Sequence, residues 1–278
     1  MGRVNRAVGG GRWAIAGWRV GGLGLLVLAG IVAAVLRWGS GLPGADRLPF
    51  LGRAPAPTPP PPARPPLHGV VVAVDPGHGG EDGGVTHAGV KEKDVNLAVA
   101  LLLRDRLEAL GARVVMTRED DHDSLLDNRA SLNLRLYKAR EGEAQLLLSI
   151  HANSFPDPSQ WGAQTFFHPD SPEGRRLALL VQEELVRLEP DNYREALAAD
   201  YYVLRNSEMP AALVELGFLS NPDDRRKLVD PGYQARLADS LARAVQRFVA
   251  GEQVESRPTA GRQLPPGFIM EIYPPEVW

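Results

Sequence analysis

The sequence VVVAVDPGHGG at residues 70–80 gives the clearest indication of the fold of this chain. It begins with a continuous apolar run rich in β-branched side chains, which predicts a strand covered on both faces of a sheet. A second apolar run, QLLLSI at residues 145–150, leads into His151, as the first leads into His78. Open α/β sheets carry their chemistry at the carboxyl ends of the strands. We therefore expect the two histidines to meet over one edge of a single sheet.

Strands and helices alternate along the rest of the predicted domain. Further strands are predicted at residues 113–117, 163–167, 201–204 and 211–216. Helices are predicted at residues 95–110, 125–140, 174–188 and 233–249, with a short one after Asn221. Asp94 and Ser124 are the expected caps of the first two helices, and Pro222 suits the first position of the short one. This alternation predicts a three-layer α/β/α sandwich around a mixed, largely parallel sheet of about six strands.

Length and composition set the class of the protein. The chain has 278 residues, of which 44% are hydrophobic and 23% charged, enough for one medium domain with appendages. A net charge of -3 and an isoelectric point near 6.1 argue against a nucleic-acid-binding protein. The chain has no cysteine, so disulfides, haem attachment and thiolate zinc sites are excluded. That absence fits an extracytoplasmic bacterial protein that does not rely on disulfides.

Residues 1–19 form a basic N-terminus, and residues 20–38 are typical of a transmembrane anchor or a signal peptide. The apolar run at residues 20–36 contains no charge and is flanked by Trp18 and Trp38, as interfacial residues flank a membrane span. Arginines on its N-terminal side predict an N-terminus inside the cell. No small-x-small cleavage pattern follows the run, so we favour an uncleaved anchor over a cleaved signal. The rest of the chain would then lie outside the cytoplasm.

Three further segments follow the apolar run. Residues 39–67 form a proline-rich linker, whose core APAPTPPPPARPP at residues 54–66 predicts an extended polyproline II spacer. Residues 68–250 form the globular domain. Residues 251–278 form an irregular tail that ends in the apolar sequence FIMEIYPPEVW. The sequence leaves open whether this tail docks on the domain or contacts a partner.

Carboxylates near the two histidines complete a candidate metal site. Zinc hydrolases use three protein ligands, and a separate carboxylate transfers the protons. Four carboxylates remain as alternatives for the third ligand: Glu81, Asp82, Glu92 and Asp94. Glu215 ends a further apolar run in PAALVELGFLSNP, where a carboxylate is costly unless it is paired, metal-bound or poised for chemistry. We therefore single out Glu215 as a candidate for the chemistry.

Each of these residues also has an ordinary structural interpretation. His151 is equally typical of a hydrogen-bonded core histidine, and Glu92 is typical of a solvated charge at a helix start. The glycines around His78 superficially resemble a nucleotide-binding loop, but the G-x-G-x-x-G spacing and the terminal Lys-Ser/Thr are missing. The sequence also has no H-E-x-x-H motif. Three further histidines lie in polar stretches and are predicted to be at the surface: His87, His122 and His168.

Six segments, taken in order, resemble the zinc-dependent N-acetylmuramoyl-L-alanine amidases of bacterial cell walls, the amidase-3 family. They are DPGHGG at 75–80, KEKDVNLAVA at 91–100, MTREDD at 116–121, LLDNRASLN at 125–133, SIHANS at 149–154 and VELGFLSNPDD at 214–224. The resemblance covers the whole predicted domain. It implies an α/β sandwich around a mixed sheet, in agreement with the pattern of strands and helices.

The resemblance also assigns roles to individual residues. It implies that His78, Glu92 and His151 bind one zinc ion and that Glu215 is the catalytic glutamate. The implied substrate is peptidoglycan. The implied reaction is hydrolysis of the amide bond between the lactyl group of N-acetylmuramic acid and the L-alanine of the stem peptide.

Within this family, an N-terminal anchor before one catalytic domain resembles the membrane-anchored spore-cortex amidases. The YYVLR segment at residues 201–205 is similar to theirs. This resemblance implies a domain that faces the cell wall, tethered to the membrane by the N-terminal helix, and it leaves a protein activator open. The interval from His151 to Glu215 is too short for the inhibitory helix of some division amidases. Two alternative functions are a non-catalytic peptidoglycan-binding protein on the same fold and a zinc peptidase that acts on ordinary peptides.

Overall fold

The computed structural model describes residues 64–121 and 128–254. For Asn128 it describes only the backbone. The predicted basic N-terminus, the anchor or signal, most of the proline-rich linker and the tail beyond residue 254 lie outside these ranges. Among the residues described, no helix has the length and apolar character that a membrane crossing needs. Leu67, the last residue of the predicted linker, is fully buried, and its N–H donates to the Leu110 carbonyl at 2.9 Å. The packed domain thus includes the end of that linker.

The strands and helices of the described ranges alternate as predicted. In chain order they are β1 (Val71–Pro76), β2 (Thr86–His87), β3 (Val90–Lys91), α1 (Glu92–Ala109), β4 (Arg113–Met116), α2 (Asn128–Glu141), β5 (Leu146–Asn153), β6 (Gln164–Phe167), α3 (Pro172–Leu188), β7 (Leu197–Ala198), α4 (Tyr202–Arg205), β8 (Ala211–Phe218), α5 (Pro222–Leu228) and α6 (Pro231–Val249).

The main sheet of the described region has six strands in the order β4-β1-β5-β8-β6-β7. Neighbouring strands are parallel, except for β6 and β8, which are antiparallel. A separate hairpin of β2 and β3 comes directly before α1. The predicted mixed, largely parallel sheet is confirmed. Because β1 and β5 are parallel neighbours, their carboxyl ends lie at the same edge.

Helices cover both faces of this sheet. The larger apolar cluster lies under α1, α3 and α6, and it contains Val74 of β1 and Leu148 of β5. A smaller cluster lies under α2 and α4, and it contains Ala73, Leu147 and Leu213. Successive side chains of a strand point to opposite faces, which explains why neighbouring residues belong to different clusters. The predicted three-layer sandwich is therefore confirmed.

Polar caps fix the starts of α3, α5 and α6. Ser171 and Asp230 accept backbone N–H bonds at the starts of α3 and α6. Asn221 caps α5, and Pro222 stands in its first turn, as predicted. Since α5 begins soon after β8, this cap fixes the chain just beyond the strand that carries Glu215.

The strand predicted at residues 201–204 is wrong, because this segment forms the short helix α4. Tyr201, Val203 and Leu204 are all buried in the smaller cluster. An apolar run of four residues does not distinguish a strand from a buried helical turn. The edge strand beyond β6 is instead β7, whose two residues gave no recognisable pattern.

The start of α1 also differs from the prediction. The helix begins at Glu92, and Lys91 is its N-cap without a side-chain hydrogen bond. Asp94 is therefore an exposed residue of the first turn, where a negative charge suits the helix dipole, and not the cap. The predicted cap of the second helix, Ser124, lies outside the described residues. Because α1 begins three residues earlier than predicted, Glu92 is the first residue of this helix.

Candidate active site

His78 and His151 meet at one edge of the sheet, as predicted. His78 comes two residues after β1, and His151 lies near the end of the neighbouring strand β5. Their ring centroids are 5.1 Å apart, and the ring planes are inclined by 81°. β5 continues to Asn153, beyond its predicted end, with an irregularity in its pairing after His151. The parallel pairing of the two strands thus brings the imidazoles together.

Glu92 joins the two histidines from the first turn of α1. Its Oε1 lies 3.0 Å from His151 Nδ1 and 3.2 Å from His78 Nε2. One ligand atom from each of the three residues lies within 4.8 Å of the others. Asn96, one helical turn later, donates from Nδ2 to the same Oε1 at 3.3 Å. The structure therefore gathers the three residues that the resemblance proposes as ligands.

The structure separates the carboxylates that sequence spacing left as alternatives. Asp82 lies on the far side of His78, with its Oδ2 2.7 Å from Nδ1, while Nε2 of the same ring faces Glu92. Histidines that bind metals commonly bond a carboxylate through the second ring nitrogen, which fixes the ring and its tautomer. Glu81 and Asp94 are exposed. Asp82 is therefore suited to orient His78, and Glu92 is suited to be the third ligand.

The donor set fits a zinc ion. Two imidazoles and one carboxylate are a known ligand combination of catalytic zinc sites, in which a fourth position stays open. The side chains of His78 and His151 are 8% and 9% exposed, so the donors are largely buried. Gly84 makes room for them, because a Cβ at this position would lie 2.5 Å from Glu92 Oε2. The geometry and the chemistry of these residues both agree with a metal site.

Two residues of the DPGHGG segment depend on their backbone for this arrangement. A Cβ on Gly77 would lie 2.1 Å from Cε1 of His151, so the second imidazole packs directly on this glycine. His78 itself has a φ of 61°, a left-handed conformation that non-glycine residues rarely adopt. The loop thus turns sharply after β1, and this turn directs the His78 ring towards Glu92.

Contacts within the cluster shift the pKa values of its members. Burial raises the pKa of Glu92, but hydrogen bonds with His151 and His78 outweigh burial and hold it well below the ordinary value. Burial lowers the pKa of His78, while contacts with neighbouring carboxylates raise it to about 9. Backbone N–H groups of Val85 and Ala152 also donate to Glu92, at 3.1 and 3.2 Å. The neighbouring imidazoles and backbone N–H groups thus favour the charged form of the Glu92 carboxylate.

Glu215 lies beside His151 but outside the three-residue cluster. β5 and β8 pair in a register that sets His151 opposite Glu215, so the two residues occupy neighbouring positions on adjacent strands. On the other side, Glu215 is in register with Gln164 of β6. Glu215 is 2% exposed, and burial together with its negative charge raises the pKa of Tyr201. A buried carboxylate thus stands next to the candidate metal ligands.

Sequence reasoning missed the residues that hold the loop of His78. Asp75 accepts hydrogen bonds from Thr117 Oγ1 at 2.6 Å and from Arg135 Nη1 at 2.8 Å. Burial raises the pKa of Asp75, but the charge of Arg135 and three hydrogen bonds lower it to about 2. Arg118 donates from Nε to the Pro76 carbonyl at 3.0 Å. Asp75 and Arg118 stand in the motifs DPGHGG and MTREDD, which offered a signal, whereas the pattern of α2 gives none for Arg135.

His87 and His168, the predicted surface histidines within the described residues, are not members of the three-residue cluster. His87 is predicted to be at the surface; it is partly exposed, and its Nε2 lies 2.8 Å from Ser154 Oγ. This contact joins the β2–β3 hairpin to the segment after β5. The His168 side chain is 17% exposed and therefore also partly buried. Its Nε2 lies 3.5 Å from Asp200 Oδ1. His122 lies outside the described residues.

Comparison with known proteins identifies the family. A family model described as N-acetylmuramoyl-L-alanine amidase matches residues 72–247, which is more than half of the chain. The chain belongs to this amidase-3 family. It is therefore an enzyme of the peptidoglycan amidase class, and the functional class implied by its motifs is confirmed.

Individual relatives agree with this membership. The germination-specific N-acetylmuramoyl-L-alanine amidase of Bacillus subtilis is 38% identical over 192 residues, covering 66% of this chain and 81% of that protein. The sporulation-specific amidase of the same organism is 32% identical over 184 residues, covering 64% of this chain and 68% of that protein. The CwlD amidase from Clostridioides difficile, solved in complex with the GerS lipoprotein, has a TM-score of 0.61 and 34% identity, covering 66% of this chain and 100% of that one.

Proposed function

We propose that this chain is a zinc-dependent hydrolase of the amide bond between the lactyl group of N-acetylmuramic acid and the L-alanine of the stem peptide. Family membership supplies the reaction class. The observation that carries the zinc-dependent mechanism is the cluster of His78, Glu92 and His151 beside the separate buried carboxylate of Glu215.

The three clustered residues would hold the ion, each from a different element of the fold. His78 comes from the turn after β1, Glu92 from the start of α1, and His151 from β5. Asp82 holds the ring of His78 so that Nε2 points into the site. A bound zinc ion supplies Lewis acidity at the amide carbonyl and lowers the pKa of a bound water towards neutrality.

Glu215 has the position of the proton-transfer group. It stands beside the three clustered residues without being one of them, and its carboxylate would accept the proton of the attacking water. Transfer of that proton to the nitrogen of L-alanine converts the amide nitrogen into a neutral amine that can leave. The backbone of Glu215 is paired with that of His151, and neighbouring strands of a sheet lie about 4.8 Å apart. This pairing keeps Glu215 next to the strand that carries His151.

The variant Glu215→Gln tests this division of roles. We expect it to keep its zinc and to lose about 100-fold to 10,000-fold in the rate of peptidoglycan hydrolysis, the usual contribution of a general base. Glu184→Gln is a matched control, since Glu184 of α3 is a comparably buried glutamate, 1% exposed, that pairs with arginines. This control should lose stability but keep its activity per folded molecule. Normal hydrolysis by Glu215→Gln would contradict the role of Glu215.

We also propose that the domain faces the cell wall and is tethered to the membrane by its N-terminal segment. The charge-free apolar run at residues 20–36, its tryptophan flanks and the basic residues before it support this location. Fractionation of cells that produce the full chain should recover it with the membrane, and added protease should degrade the domain in spheroplasts. Recovery of an intact domain inside protease-treated spheroplasts would contradict the proposal.

A role in the spore wall is proposed from two of the relatives, whose names are germination-specific and sporulation-specific amidases. We expect deletion of the gene in a sporulating host to remove muramic lactam from the spore wall, because the lactam forms on muramic acid without a stem peptide. The complex of the related amidase with a lipoprotein further supports a protein partner for this domain. Unchanged muramic lactam after deletion would contradict the spore role.

A further inference from the structure

Two guanidinium groups bind the backbone of the turn that carries His78. Arg135 donates to the Pro76 carbonyl at 2.6 Å and to the His78 carbonyl at 2.8 Å. Arg118 donates to the Pro76 and Gly77 carbonyls, each at 3.0 Å. Three consecutive carbonyls thus receive charged donors, which form stronger hydrogen bonds than neutral ones.

This turn has a conformation that needs support. His78 has a φ of 61°, and a non-glycine residue in that region is held there only when its surroundings determine the backbone. The bond from Arg135 Nη2 to the His78 carbonyl acts on the strained residue itself. The same residue presents its imidazole to Glu92. The direction of the ring therefore depends on a backbone that Arg135 contacts.

Asp75 holds Arg135 in the orientation that these bonds require. Its Oδ1 accepts from Arg135 Nη1 at 2.8 Å, and its Oδ2 accepts from Ser149 Oγ at 2.7 Å. Thr117 donates to the same carboxylate at 2.6 Å. Asp75 is thus linked to the residue after β4 on one side and to β5 on the other, and the guanidinium is anchored to the sheet.

The arrangement places two positive groups close together. Burial, and after it the charge of Arg135, lower the pKa of Arg118 to about 10. Asp75 offsets this repulsion with one buried negative charge. Perturbed ionisable groups of this kind cluster at functional sites more often than in ordinary cores.

We propose that Asp75 and Arg135 are positioning residues that hold the backbone of His78 in the conformation that directs its imidazole to the metal. The pair thereby sets the zinc affinity of the site without contacting the ion. The inference rests on the proposed function, since it takes His78 as a ligand. Residues that orient metal ligands typically contribute about 10-fold to 100-fold in metal affinity.

The variant Arg135→Gln removes the charge and the fork of donors, and Arg176→Gln is its matched control. The side chains of Arg135 and Arg176 are 13% and 14% exposed, respectively. Arg176 also binds one carboxylate, that of Glu173, and two backbone carbonyls, those of Phe248 and Glu252. Its contacts lie at the ends of α3 and α6, away from the histidines. The two variants therefore lose the same kinds of hydrogen bonds at different places, and Arg176→Gln also loses a contact with the Phe248 ring, 3.9 Å from the guanidinium.

The first measurement is the zinc dissociation constant of the full chain, obtained by competition with a chelator. We expect Arg135→Gln to bind zinc about 10-fold to 100-fold more weakly than the unmodified chain, and Arg176→Gln to bind within about 2-fold of it. Equal affinity of Arg135→Gln and the unmodified chain would overturn the inference. An equal loss in both variants would also overturn it, because affinity would then follow stability alone.

The second measurement is hydrogen exchange of the backbone amides of residues 77–80 in chelator, which needs no metal. We expect faster exchange there in Arg135→Gln and unchanged exchange in Arg176→Gln. Arg135→Lys keeps the positive charge beside Asp75 but loses the planar set of guanidinium donors. It replaces Arg135→Gln in both measurements if that variant does not fold, and we expect an intermediate zinc affinity for it. Unchanged exchange and affinity in Arg135→Lys would overturn the inference. Zinc binding by the unmodified chain tests the proposed function separately. The inference about Arg135 is tested by the ratio of zinc affinities between variants and by hydrogen exchange of the metal-free loop.

Discussion

His151 of β5 and Glu215 of β8 occupy paired positions in one parallel ladder. The backbone distance between a proposed ligand and the proposed proton-transfer group is therefore set by the sheet. Glu92 reaches the same place differently, from a helix start that follows the β2–β3 hairpin. His151 and Glu215 are thus held by neighbouring strands, whereas Glu92 follows a hairpin and His78 lies in a turn. Substitutions should distinguish these two arrangements.

Replacing Glu92 by Gln should abolish stoichiometric zinc binding. The amide keeps the shape of the carboxylate but removes the negative charge that faces both histidines at 3.0 and 3.2 Å. Metal analysis after dialysis checks this outcome. Asp94→Asn, an exposed acid of the same helical turn, is the control and should retain zinc. Full zinc occupancy in Glu92→Gln would remove Glu92 from the ligand set.

Gly77→Ala should disrupt both the site and the fold. Its Cβ would lie 2.1 Å from His151 Cε1, so the imidazole has to move, and overpacking of this kind costs about 1–3 kcal/mol. Gly83→Ala is the control, because a Cβ there meets nothing within 4 Å. Chemical denaturation and zinc titration of both variants give the comparison. Equal stability and zinc affinity of the two variants would show that the His151 ring does not depend on Gly77.

Asp75 should make stability depend on pH in the acid range. Its pKa falls from 3.8 to about 2 on folding, so the stabilisation is complete above pH 3.8 and is lost as the pH falls through about 2. A shift of this size corresponds to roughly 2 kcal/mol. Denaturation of the unmodified chain and Asp75→Asn in chelator, between pH 7 and pH 2, should show a stability difference that shrinks as the pH falls. A difference independent of pH would contradict the buried ion pair with Arg135.

Leu148→Ala should weaken the sheet that supports His151. Leu148 is fully buried in the larger cluster, and removing a buried leucine side chain costs about 2–5 kcal/mol. Thermal unfolding measures the loss, and activity at low temperature should persist while the chain stays folded. Val249→Ala, at a position that is 38% exposed, is the control and should change stability by about 0.5 kcal/mol or less. A similar loss in both variants would contradict the described core.

The sequence predicted the fold well where patterns are long. The apolar runs that became β1 and β5 are continuous and β-branched or leucine-rich, so they predicted buried neighbouring strands and the meeting of His78 with His151. Short segments carried less information. A run of four residues became α4 and not a strand, and the two residues of β7 gave no pattern at all.

The site was predictable only in part from the residues themselves. Spacing left Glu92 as one of four acidic candidates, and only the family resemblance selected it. Spacing could not separate Glu92 from Asp82, because the two carboxylates differ in which ring nitrogen of His78 they face. Arg135 escaped detection for a related reason. It is separated from Asp75 by 60 positions, and only packing of α2 against the sheet brings the guanidinium to the turn.

The most direct test of the central claim is mass spectrometry of purified peptidoglycan after digestion with the full chain and zinc. We predict released stem peptides with new L-alanine amino termini and glycan strands with free lactyl carboxyl groups. We also predict that Glu215→Gln gives neither product while it still holds zinc. Cleavage within the stem peptide, or binding to peptidoglycan with no released fragment, would contradict the claim.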